Sequence, residues 1–171
     1  TFESKILSRL GLFPAKHGMI ARSGLARVPR PVKPIEIVDF VPGGMQSLRL
    51  GLLHGVAFNE ESRFYGEDIE MHFKLSKNGK VVSSSLLPVT HLAATESKQD
   101  NGSAFLNEQL VRVRLHREDP ERVRFVPLLA GCVLALVREL VGIFQSGGIG
   151  KIPNLLLEFG KAIRITIAKR M

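Results

Sequence analysis

Tryptophan is absent from the chain, and tyrosine and cysteine each occur once. Cys132 alone excludes an internal disulfide and a multi-cysteine zinc site, and it fits a reducing compartment. With so few aromatic side chains among the basic ones, a nucleic-acid binder that works by base stacking is disfavoured. Aspartate is scarce too: only Asp39, Asp68, Asp100 and Asp119 occur, and no Asp-x-Asp pair exists to hold a metal. No glycine-rich loop of the type that cradles phosphate is present, nor any internal repeat. The uninterrupted apolar stretch from Phe125 to Val137 falls short of the roughly 20 residues needed to span a bilayer.

What is present is a basic chain of 171 residues, with 44% hydrophobic content and a net charge of +8. That composition supports a buried core and an anionic partner. The charge is uneven. Residues 1–40 carry a surplus of +4 and residues 108–171 one of +5, whereas residues 41–107 stand at −1. Anionic surfaces should therefore meet the flanks, and chemistry that handles protons or a metal should sit in the middle.

Hydrophobic spacing predicts a short helix over 2–10, an irregular basic loop from Gly11 to Pro34, and a strand over 35–41 stopped by Pro42-Gly43-Gly44. A short helix at 48–54 and a helix opening at Gly66-Glu67-Asp68 follow, the latter closed by Asn78-Gly79. Residues 80–87 read as a strand and 92–103 as a polar loop. From 104 the pattern is helical: 104–117, 123–144, and a basic amphipathic segment over 152–169. In that last segment Leu155, Leu156, Phe159, Ile163 and Ile167 share one side, with Lys161, Arg164 and Lys169 off it. Such a helix either lies in a membrane interface or packs on protein.

Glu67 and Asp68 are adjacent acids at a helix start, where they either stabilise the helix N-terminus or offer a general base to a substrate hydroxyl. Gly43-Gly44 is a turn that allows close backbone approach. Arg49, after Ser47, either meets a phosphate or is solvated. His91 is a lone histidine at the start of the polar loop.

The order of these pieces, Val38 to His91, resembles the acceptor-side half of glycosyltransferase family 2. The counterparts are Gly43-Gly44, Ser47 to Arg49, Phe58-Asn59-Glu60, Tyr65-Gly66-Glu67-Asp68, Gly79 and His91. The resemblance implies a Rossmann-like α/β GT-A fold and inverting transfer of a sugar from a nucleotide diphosphate. It assigns Asp68 as base, Glu67 as shaping the acceptor site, and Gly43, Gly44, Ser47, Arg49 and Gly66 as substrate-binding. His91 would complete coordination of Mg²⁺ or Mn²⁺ on the diphosphate. A cation there offsets charge on the leaving group, and removal of the hydroxyl proton makes a sugar alcohol a competent nucleophile.

The sequence departs from that pattern at several points. Asn59 replaces the usual aspartate, Lys74 stands where arginine is common, and Leu50 follows Arg49 where a second basic residue is frequent. Gln109 and Arg112 echo the Gln-x-x-Arg-Trp motif of processive synthases, but Val113 replaces the tryptophan, and the echo reads as chance. With no Asp-x-Asp and no nucleotide-binding βαβ units, the expectation is a fragment that starts at Thr1, lacks its N-terminal nucleotide-binding half and is inactive alone. Its remaining metal ligands would lie in that missing half.

Residues 1–104 would form the acceptor-side part of the catalytic domain. Residues 105–171 would be a helical region that meets a membrane surface through 123–169. The partners expected are a nucleotide-diphosphate sugar and a glycan or lipid-linked acceptor, with no nucleic acid, at the cytoplasmic inner membrane face. The competing reading is a non-catalytic membrane-surface or partner-binding module, in which Glu67-Asp68 is only a helix cap.

Overall fold

The computed structural model describes residues 2–30, 33–43, 46–56, 66–86 and 101–168. Its elements in chain order are α1 (Phe2–Arg9), β1 (Ile35–Val38), α2 (Glu67–Leu75), β2 (Val81–Ser84), α3 (Asn101–Glu118), α4 (Phe125–Gln145) and α5 (Ile152–Ala168). Among the described residues, single 3₁₀ turns at Leu50–Leu52 and Ile149–Lys151 accompany these elements. The protein therefore mixes helices with a small sheet. Among the described residues that sheet is one antiparallel ribbon, in which Ile35 faces Ser84 and Val38 faces Val81. No parallel strand pair occurs among the described residues.

The ribbon follows the two-residue period of extended chain. Val38 and Val81 point inward and are buried, whereas Ile35, Ile37 and Val82 share the outer face and are exposed. β1 ends before the predicted residue 41 because Asp39 turns away. Its carboxylate accepts from the Ile20 backbone N–H at 2.6 Å and pairs with Arg122 at 2.6 Å. Arg122 also lies 4.6 Å from the centre of the Phe73 ring, a cation–π contact that fastens α2 to the loop after α3.

α3 is the central post. Its residues Val111 and Leu115 pack with Ile20, Phe40, Phe73 and Val123 on one side. Phe105 packs with Ala135 and Leu155 on another, and Val113 with Leu128 and Cys132 on a third. A helix enclosed on several sides cannot show a single apolar stripe, which is why its sequence reads as mixed polar and apolar. The core thus joins segments on both sides of residue 104. α3 begins at Asn101, within the stretch expected to be a loop.

α4 and α5 form an antiparallel pair joined through Gly147, which adopts a positive φ of 71°. The side of α5 carrying Leu155, Phe159 and Ile163 packs on α3 and α4. Protein packing, not a membrane, covers these residues. Leu156 and Ile167, expected on the same side, are exposed instead.

Candidate functional site

α2 begins where Gly66 adopts the left-handed conformation, with φ of 85°. A Cβ at that position would stand 2.3 Å from Val111 Cγ2. Glycine is therefore required twice over, by the backbone angle and by the close approach of α2 to α3. This packing aims the first turn of α2 at the end of β1. Asp68 and Glu67 sit there as a result.

The Asp68 carboxylate is held from two directions. Its Oδ2 accepts from the Gly43 backbone N–H at 3.0 Å, and its Oδ1 accepts from the Ile69 N–H at 2.8 Å. The second bond is a helix-start contact, so the capping reading of Asp68 holds in part. The first joins α2 to a turn 25 residues away and fixes the carboxylate over that turn. Glu67 differs: its Oε2 is buried with no hydrogen-bond partner among the described residues. That oxygen caps no helix N–H of the described residues, while the place of Glu67 in the first turn of α2 still suits the helix dipole.

Both acids border a cavity of about 220 Å³ whose wall includes Leu25, Phe40, Pro42, Val111 and Arg112. Arg112 is buried, with only 3% of its side chain exposed, and it pairs with Glu108 one helical turn earlier. Arg138 of α4 approaches the other oxygen of Glu108 at 3.8 Å. The Arg112 Nε lacks a hydrogen-bond partner among the described residues. Arg112 is threaded between two backbones: a Cβ on Gly24 would lie 2.9 Å from its Cβ, and one on Gly131 would lie 3.3 Å from its Nη1. Among the described residues the wall carries three carboxylates, those of Glu67, Asp68 and Glu108, against the one guanidinium of Arg112, a balance that suits a neutral alcohol better than a diphosphate.

The structure thus brings together Gly43, Gly66, Glu67 and Asp68. Ser47 and Arg49 are exposed and do not line the cavity. Gly44, Phe58, Asn59, Glu60, Tyr65 and His91 lie outside the described residues. Among the described residues, no three His, Cys, Asp or Glu side chains converge as metal ligands.

Sequence reasoning passed over Arg112 and Gln109, both buried in α3. The only signal was the motif echo set aside as chance. Gln109 donates to the Phe105 carbonyl at 3.5 Å and leaves its own Oε1 unpartnered among the described residues.

His72, one turn after Asp68, is buried and donates from Nδ1 to the Asp68 carbonyl at 2.7 Å. Burial pushes its pKa below the ordinary value, against the smaller raising effects of that hydrogen bond and the Asp68 charge. His72 therefore supports α2 as a neutral imidazole. Elsewhere, a second cleft lined by Lys5, Arg9 and Arg27 carries the basic character of the N-terminal flank. No family model, curated protein or solved structure matches this chain.

Proposed function

We propose that this chain supplies the acceptor side of an inverting, nucleotide-sugar-dependent glycosyltransferase, as a partial GT-A domain with residues 1–104 at its centre. The observation that carries the reading is the hydrogen bond from the Gly43 amide to the Asp68 carboxylate, at the mouth of a cavity shared with Glu67. Two segments far apart in sequence, each resembling a piece of the same enzyme family, meet at one point in space.

In this reading Asp68 is the base. An acceptor hydroxyl in the cavity loses its proton to Asp68 as its oxygen attacks the anomeric carbon of the donor. The bond from that carbon to the diphosphate oxygen breaks, and the diphosphate leaves with the electron pair. Attack from the opposite side inverts the anomeric centre. The two backbone N–H groups keep Asp68 oriented through the step, so little reorganisation accompanies proton transfer. Glu67 Oε2, unpartnered among the described residues, accepts from a second acceptor hydroxyl and positions it.

The donor needs a different surface, since the described residues around Asp68 are net negative. A nucleotide-binding half would come from sequence outside residues 1–171. The exposed outer face of the ribbon, Ile35, Ile37 and Val82, is apolar surface that such a half would cover. Mg²⁺ or Mn²⁺ would offset charge on the departing diphosphate. The described residues hold no cluster of three ligands for it, and His91 is the ligand that the resemblance assigns. The enzyme would work at the cytoplasmic face of a membrane on a glycan or lipid-linked alcohol.

The test is release of nucleoside diphosphate from nucleotide sugars by the longest chain that contains residues 1–171. The reading expects release that depends on an added alcohol acceptor and yields the inverted anomer. It expects Glu67→Gln to raise the acceptor KM. Retention of configuration, or acceptor binding that ignores Glu67→Gln, would overturn it.

A further inference from the structure

The outer side of α4 carries an apolar stripe. Val126, Val133, Val137, Val141 and Phe144 recur every three, four or seven residues, and each is between 47% and 75% exposed. Ala130 fills the gap between the first two and is exposed as well. At about 1.5 Å per residue the stripe runs roughly 27 Å along the helix. Leaving this much apolar side chain in water is unfavourable, and monomeric soluble proteins seldom present so long a line of it.

The net charge of the segment that carries the stripe indicates what covers it. From residue 124 to 168 the basic side chains are Arg124, Arg138, Lys151, Lys161 and Arg164, all exposed. The two acids of that stretch each pair with one of these bases, Glu139 with Arg138 at 3.2 Å and Glu158 with Lys161 at 2.7 Å, so Arg124, Lys151 and Arg164 are left as its positive surplus. A second copy of this chain would bring like charges together. An anionic bilayer offers both the apolar depth and the opposite charge.

We infer that α4 lies along the interface of an anionic membrane, with Val126, Val133, Val137, Val141 and Phe144 turned towards the acyl chains. This sharpens the peripheral placement proposed above by naming the surface, and it does not depend on the transfer chemistry. α4 is long and apolar enough to cross a bilayer. Its inner side, however, is committed to protein. Leu128 and Cys132 are fully buried against Val113, and Ala135 packs with Phe105 and Leu155. Crossing would strip those contacts and carry Arg138 and Glu139 into hydrocarbon, whereas lying flat costs neither. The lipid-facing residues are therefore mainly those of α4 and not the α5 side that the sequence suggested.

The experiment floats the 171-residue chain on vesicles of phosphatidylcholine with or without phosphatidylglycerol. Flotation is expected with the anionic vesicles and much reduced with the neutral ones. Val133→Asp/Val137→Asp should lower it at least tenfold while keeping the wild-type circular dichroism, since both sites are exposed. Asp68→Asn should leave it unchanged. Because the chain has no tryptophan, Val133→Trp provides a lone fluorophore. Bromines placed near the headgroups should quench it more than bromines at mid-chain, whereas a Val82→Trp control stays unquenched. Absence of flotation, wild-type flotation by the double aspartate variant, strongest quenching by mid-chain bromines, or lipid-free dimers broken by the same variant would each overturn the inference.

Discussion

Replacing Gly66 with alanine should damage the protein through two separable effects. The φ of 85° at this position costs an L-residue roughly 1–2 kcal/mol. The new methyl would stand 2.3 Å from Val111 Cγ2, inside contact distance, and overpacking of this kind costs about 1–3 kcal/mol. Alanine recovers about 0.4–1 kcal/mol by restricting the unfolded chain. The net expectation is a loss of about 1–5 kcal/mol. With a urea slope of about 2 kcal/mol/M, the midpoint falls by about 0.5–2.5 M. The double-mutant cycle with Val111→Ala isolates the clash. Val111→Ala alone opens a cavity and costs about 2 kcal/mol. In the Gly66→Ala background it should cost at least about 1 kcal/mol less, because the methyl then has room. A Gly66→Ala midpoint equal to wild type, or strict additivity in the cycle, would refute the account of how α2 is seated on α3.

Three further outcomes follow from buried groups. His72 has its pKa lowered by burial, so below about pH 6.5 the unfolded chain binds a proton that the folded protein resists. Stability should be complete above that pH and fall as the pH drops through it towards the lower folded value. His72→Gln should flatten this part of a urea-midpoint profile, and an unchanged slope would contradict the assignment. Arg112→Met leaves Glu108 without its buried partner and should cost about 3 kcal/mol, with Glu108→Gln/Arg112→Met recovering part of the loss on urea denaturation. Cys132 is buried and its thiol pKa is raised, chiefly by burial, so thiol reagents at pH 8 should label it only as the protein opens. Rapid labelling of the native protein would show α4 loosely packed.

The parts of the fold legible in the sequence were those set by local chemistry. Gly66-Glu67-Asp68 and Asn78-Gly79 bracket α2, which runs from Glu67 to Leu75 and closes through Ser76. The β-branched runs at Ile35 and Val81 marked both strands, though not their antiparallel pairing. Tertiary partners were illegible because they are remote. Glu70 meets Arg114 at 2.9 Å across 44 residues, and Asp39 meets Arg122 across 83. Arginine on a helix ordinarily reads as solvated. Arg112 is buried because Gly24 and Gly131 let two backbones close over it, and neither glycine signals that alone. The polar run before residue 104 hid the start of α3, since weak local propensity does not mark where a helix begins. At the site, the acid pair and Gly43 were named from order and spacing, but only the folded chain brings the Gly43 amide and the Asp68 carboxylate to 3.0 Å.

The most direct measurement is the rate of sugar transfer by Asp68→Asn in the assembled form of the enzyme proposed above, at saturating donor and acceptor. The amide retains the carbonyl oxygen that can accept from the Gly43 N–H but cannot take up a proton. Loss of a positioned general base should slow transfer by about 10²–10⁴-fold, with donor affinity unchanged. Transfer at the wild-type rate would show that the hydroxyl proton leaves by another route and that Asp68 only holds the turn at Gly43.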